Sequence, residues 1–200
     1  MRIMKRRIGF LLIAILSLCA MGEVEAKSCA SSVTALEIEV GAAMVSPSAK
    51  LNFDRNKVGF NIHGEVRYNF KYHPFDVGLR VDGDTFNRRL ELSGNNFRFR
   101  SFSAMAVFDW NINRTGQFAP FLGVGIGGGL VRNDSVTIKE ILNQPLKQTV
   151  NEASFAIMPR VGVELFHRAR VTLYYKYNKK ENAHFGLALG LSIGGGPKNR

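Results

Sequence analysis

Cysteine is scarce: Cys19 and Cys29 are the only two in 200 residues, so no disulfide framework organises the chain. Histidine is scarce too, with four residues and no metal-ligand spacing between them. Long apolar runs are missing apart from one at the extreme N-terminus, and mean hydropathy is -0.04, which excludes a polytopic helical membrane protein. The poverty in apolar residues that marks disorder is also absent, since 46% of residues are hydrophobic and 15 are Phe. What remains is one domain's length of chain, rich in glycine with 20 residues, and carrying a formal charge of +11.

Arg2, Lys5, Arg6 and Arg7 precede an apolar run from Ile8 to Ala20, which is followed by Val24, Glu25 and Ala26. A basic start, a short apolar run and a small exit residue describe a secretory signal peptide over residues 1–26. The run is shorter than the roughly 20 residues a spanning helix needs. Neither cysteine has the small, uncharged approach of a lipidation site. Cleavage after Ala26 leaves residues 27–200 as a single domain of charge +9 with one thiol, Cys29, which excludes an internal disulfide. Export is therefore inferred from the leader and not from cysteine usage. It also makes nucleic acid the wrong partner, because the basic residues are scattered and form no single patch.

From residue 35 onward, apolar residues recur at every second position, the signature of strands. Eight segments show it, beginning with Leu36, Ile38, Val40, Ala42 and Met44, and ending with Phe185, Leu187, Leu189, Leu191 and Ile193. The opposite faces carry charge in mid-strand: Glu37, Glu39, Glu65, Arg67, Asp76, Arg80, Asp82, Asp109, Arg160, Glu164, Arg170 and Lys176. Expected connections alternate between long and short. Loops are placed at 45–57, 83–96 and 131–152, and tight turns at 71–73, 113–118 and 167–169. Long loops at one end and short turns at the other are the pattern of an outer-membrane barrel.

Periodicity alone does not say which face points inward. Three features point the apolar face outward. The apolar faces run about 9–11 residues, enough for a tilted strand to cross a bilayer. Aromatics gather near the turns, with Tyr68, Phe70, Tyr72 and Phe75 at one and Phe108, Trp110, Phe118 and Phe121 at the next, as in an interfacial girdle. No helix of packing length is available to cap a soluble barrel. The fold expected is all-β, an eight-stranded antiparallel up-and-down transmembrane β-barrel, which satisfies every backbone amide in lipid.

The segment Pro159-Arg160-Val161-Gly162-Val163-Glu164, the run Pro120-Phe121-Leu122-Gly123-Val124-Gly125-Ile126-Gly127, and Tyr174-Tyr175-Lys176-Tyr177 before a glycine-rich last strand resemble the opacity-like outer-membrane β-barrel domain family. The resemblance covers the mature chain. It implies an eight-stranded barrel in the outer membrane and no enzymatic activity. The chain departs from the usual aromatic C-terminus, ending Gly194-Gly195-Gly196-Pro197-Lys198-Asn199-Arg200. His184-x-Gly186-x-x-Leu189-x-Leu191 still fits a looser signal for the barrel-insertion machinery.

Gly123-x-Gly125-x-x-Gly128 matches a dinucleotide fingerprint in letters only. It alternates with Leu122, Val124 and Ile126 on a strand, where no helix opens to face a phosphate. The expected site is instead a lumen charge network of Glu37, Glu39, Glu65, Arg67, Arg80, Asp82, Arg160, Glu164, Arg170 and Lys176, with acids and bases nearly balanced. Buried charges need partners, and an eight-stranded barrel is narrow enough for side chains to fill. No catalytic, cofactor or metal residue is assigned. His73 and His167 fall in turns, His63 has no Ser or Thr at i±2, and His184 can meet Ser135 or Thr137 only through space. Arg98 and Arg100 alternate with Phe97 and Phe99, so that either a bulge lies near Ser101 or these arginines sit above the membrane. With Arg88, Arg89, Lys179 and Lys180 they are candidates to meet lipopolysaccharide phosphates. The segment 135–144 is expected to make one or two helical turns before Pro145.

The expected role is structural or adhesive, carried by surface loops 83–96 and 131–152, in a protein surrounded by outer-membrane lipid. A narrow pore for ions or small solutes is the alternative. A lipid-modifying barrel enzyme and a soluble periplasmic ligand-binding barrel rank below it.

Overall fold

The computed structural model describes residues 33–48, 53–56, 58–71, 73–90, 96–138 and 145–196. The expected signal peptide and Cys29 lie outside the described residues. Among the described residues nine strands are formed: β1 (Leu36–Pro47), β2 (Phe53–Asn56), β3 (Gly59–Asn69), β4 (Phe75–Leu90), β5 (Asn96–Asn111), β6 (Phe118–Ile138), β7 (Pro145–Leu165), β8 (Ala169–Lys176) and β9 (His184–Gly194). β2 continues β3 along the upper part of β4, so the two make one stave. All pairings are antiparallel, and β1–β9 and β4–β5 contacts close the sheet into an eight-staved barrel.

The exterior is apolar. Leu36, Ile38, Val40 and Met44 on β1, and Leu187, Leu189, Leu191 and Ile193 on β9, are exposed, whereas Glu37, Glu39, Glu65, Arg67 and Arg160 are buried. This inverts the soluble arrangement. Tyr68, Phe70, Phe75, Phe108, Trp110 and Phe118 form an exposed aromatic band at the short-turn end. Phe121 does not belong to that band. It shares the phase of the lumen residues and is buried.

The expected loop 83–96 is mostly strand. The β4–β5 ladder runs without a break from Phe75 opposite Trp110 to Arg89 opposite Asn96. The expected loop 131–152 is likewise mostly strand, because β6 and β7 pair from Phe118 opposite Leu165 to Ile138 opposite Pro145. Residues 135–138 are extended and not helical, and 139–144 lie outside the described residues. Similarly, the expected loop 45–57 gives its first residues to β1 and residues 53–56 to β2. The physical reason is common to all three. Above the apolar belt both faces of a strand meet water or polar neighbours, so the apolar alternation fades while backbone pairing continues. No bulge lies near Ser101, and Arg98 and Arg100 stay in phase with Phe102 on the outer wall.

The short end has tight reversals. Between β7 and β8, Phe166 and His167 have φ of 53° and 56°, and Arg168 N–H donates to Leu165 C=O at 3.1 Å. Two successive left-handed residues give the twist that a hairpin turn needs.

Candidate functional site

Inward positions on every strand converge in the lumen, which has two storeys. In the lower storey Arg67 donates to Glu39 at 2.7 Å and Glu65 at 3.0 Å, and also pairs with Glu37. Arg160 bridges Glu65 at 2.6 Å and Asp109 at 2.7 Å. Arg170 reaches the same Asp109 and lays its guanidinium 3.5 Å from the centre of the Phe121 ring. The planar cation thus has a carboxylate at its edge and an aromatic face beneath it.

Above this, Arg80 lies between Glu65 at 3.4 Å and Asp82 at 3.3 Å. Lys176, fully buried, pairs with Asp82 and lies 2.7 Å from Asp84. Ser103 donates to Asp82 at 3.1 Å, Ser101 to Asp84 at 2.8 Å, and Asn61 to Asp84 at 2.6 Å. Neutral donors fill the remaining acceptor sites of the carboxylates, as buried ions require.

Glu37, Glu39, Glu65, Arg67, Arg80, Asp82, Arg160, Arg170 and Lys176 therefore lie in one continuous chain of ion pairs, linked through Asp109. Glu164 stands apart at the lower mouth, where its pairing partner is His167 at 3.8 Å. Asp76 is closed off there by Arg114 and Asn111. Asp84 was missed because it fell in the expected loop 83–96. The signal was its position two residues beyond Asp82 on the same strand face. Acids already outnumber Arg and Lys among the described inward charges, and Asp84 widens the excess.

The upper storey is aromatic and apolar. Phe86 stacks on Phe99 with centroids 5.6 Å apart, His184 meets Phe86 at 5.8 Å and Tyr174 at 6.0 Å, and Val45, Met105 and Met158 are buried around them. The side chains of Ser135 and Thr137, which the nucleophile reading requires beside His184, lie outside the described residues. The neighbours of His184 are Asp84 at 3.4 Å and the Asn182 carbonyl at 2.7 Å. His63 contacts Asn61 and Glu39.

Glycines make room for these groups. A Cβ at Gly123 would sit 1.8 Å from an Asp109 oxygen, and one at Gly186 would sit 2.1 Å from the Tyr174 ring. Gly186→Val is therefore expected to destabilise the barrel by about 1–3 kcal/mol through overpacking. Urea titration of the folded form in vesicles measures this. Adding Tyr174→Ala should restore part of the loss, because it removes the ring that the new side chain strikes.

No protein-family model and no curated protein sequence matches the chain. Solved structures do. Ail, the attachment invasion locus protein of Yersinia pestis, solved with the heparin analogue sucrose octasulfate, is 18% identical over 79% of this chain and 97% of its own, with a TM-score of 0.50. The chain has the fold of the small eight-stranded outer-membrane barrels. Neisserial surface protein A is also similar, at 16% identity over 80% of this chain and 97% of its own, with a TM-score of 0.48. This outer-membrane-type barrel is the fold that the opacity-like resemblance implies.

Proposed function

We propose that the chain is an outer-membrane barrel, exported by residues 1–26 and inserted by the barrel-assembly machinery through β9, whose lumen is closed and whose work is structural or adhesive. The observation that carries this reading is the contrast between a filled interior and a projecting wall. The interior holds an ion-pair chain under an aromatic layer. The wall continues from Arg132 opposite Asn151 to Ile138 opposite Pro145, about 20 Å of strand beyond the apolar belt. A filled lumen leaves the outer surface as the place to meet partners. The role proposed is non-enzymatic; among the described residues, the polar contacts of the histidine rings are to Asn, Glu, Asp and backbone carbonyl groups.

The β6–β7 hairpin is the proposed contact surface. Sulfated polysaccharide is the first ligand class to test, since Ail was solved with a heparin analogue. Cells displaying the chain should bind immobilised heparin or host surfaces. A variant joining Arg132 to Asn151 through an Asn-Gly turn should lose that binding while keeping its heat-dependent gel mobility in the outer-membrane fraction. In planar bilayers the purified protein should give no steady single-channel steps. Regular steps would overturn the closed lumen and restore the pore reading, and unchanged binding by the shortened variant would remove the hairpin from the account.

A further inference from the structure

The outer wall has a built feature at its upper rim that the lumen and the hairpin leave unexplained. β3 places Phe60 opposite Thr85, whereas β2 places Asn56 opposite Arg88, one residue out of step. Such a slip bends the strand and increases its local twist. A shallow hollow of about 620 Å³ lies there, bordered by Val58, Phe60, Thr85, Asn87, Arg98 and Arg100.

The hollow and the strand next to it together have the chemistry of an amphiphile's headgroup site: Arg98 and Arg100 border the hollow, and Arg132 lies outside it on β6. Arg98 and Arg100 on β5 and Arg132 on β6 are exposed on the outer face. Arg100 stands directly opposite Arg132 in the ladder. Like charges facing each other across two strands repel and weaken the pairing unless an anion lies between them. Among the described residues, no ion pair joins either of these two arginines to a carboxylate. Thr85 and Asn87 add hydroxyl and amide groups beside them.

Depth supplies the second argument. The next outward rung below Arg100 and Arg132 is Phe102 opposite Leu130, both exposed, and the rung below that is Ala104 opposite Gly128. Gly83 lies alongside Phe102. The cations thus meet the top of an apolar wall that is indented where the small residues fall. A free polyanion would use the charge alone, while a lipid would use the charge, the polar groups and the indented wall together.

We propose that this rim binds the phosphorylated headgroup of an outer-leaflet glycolipid, with a phosphate between Arg100 and Arg132 and an acyl chain along the wall over Ala104 and Gly128. The proposal deepens the outer-membrane reading and rests on it. The test uses purified protein in neutral detergent, so that its failure is distinguishable from a failure of localisation.

The probe is bisphosphorylated lipid A, followed by native mass spectrometry and by its effect on the heat-dependent gel shift. The full-length protein should retain the lipid. Arg100→Gln with Arg132→Gln should lower the affinity by about tenfold or more, since two charge-assisted contacts are removed. Both side chains are exposed, so the variant should fold, as an unchanged gel shift will show. Arg168→Gln, which removes a charge from a turn at the opposite end, should leave binding unchanged. Dephosphorylated lipid A and phosphatidylglycerol should bind more weakly, and inorganic phosphate should not compete at matched concentration. Equal binding by the double variant, or by dephosphorylated lipid, overturns the proposal. Heparin binding that depends on these arginines, without lipid A binding, assigns the rim to a polysaccharide instead. Phosphatidylglycerol binding as tight as lipid A contradicts the glycolipid assignment.

Discussion

Glu65→Gln is expected to destabilise the folded barrel by about 3–5 kcal/mol, the usual result of removing one partner from a buried ionic cluster. Glu65 sits among three guanidinium groups, with Arg160 at 2.6 Å, Arg67 at 3.0 Å and Arg80 at 3.4 Å. Glutamine keeps the shape but removes the charge, and its amide group presents N–H donors to cations that need acceptors. The three arginines come from three different strands, so the loss is felt around the barrel and not at one hairpin. Urea titration in lipid vesicles, read by gel mobility of folded and unfolded forms, gives the change directly. Adding Arg160→Met should cost less than the two single losses combined, because it removes one of the cations that Glu65 balances. A change under about 1 kcal/mol for Glu65→Gln would show that the lumen is hydrated and that its ions are screened.

The second large effect lies on the outer wall. Leu189→Arg should cost about 2–4 kcal/mol, whereas Leu36→Arg should cost about 0–1 kcal/mol, because the penalty for a lipid-facing charge depends on depth. Leu189 is 65% exposed in mid-strand, opposite Ala42 and Val171, whereas Leu36 is 54% exposed at the first residue of β1. Ordinary surface exposure cannot distinguish the two sites, so only lipid around the belt makes them differ. If the wall faced water, both substitutions would fall within about 0.5 kcal/mol of the parent. The same vesicle titration measures both.

Strict alternation placed Glu65 and Leu189 on opposite faces, and the apolar face length together with the aromatics at the turns set the face that points outward. Strand ends were not legible. Asp84, Phe86 and Phe99 belong to the lumen, but they lie above the apolar belt, where outward neighbours such as Thr85, Arg98 and Arg100 are polar and the contrast that reveals a strand disappears. Phe121 was misplaced for a different reason. Its aromatic character near a turn suggested the girdle, although its parity against Leu122, Val124 and Ile126 already put it inside. The partners within the lumen were not legible at all. Glu65 and Arg160 are 95 residues apart and meet only because the closed barrel sets β3 and β7 across from each other. Which inward charges face one another depends on stagger around the barrel, a property of the whole sheet and not of any segment.

The apolar face of every stave is expected to meet lipid around a filled interior. Nitroxide labels placed singly along β9, at Leu187, Leu189, Leu191 and Ile193, test it most directly in reconstituted vesicles. Collision with oxygen, which concentrates in hydrocarbon, should dominate at the first three positions, and collision with a water-soluble nickel reagent should rise only at Ile193, the residue nearest the lower end of the strand. Uniform access of the nickel reagent to all four positions, or their shielding from both reagents, would contradict the claim, the first by placing the wall in water and the second by turning it inward.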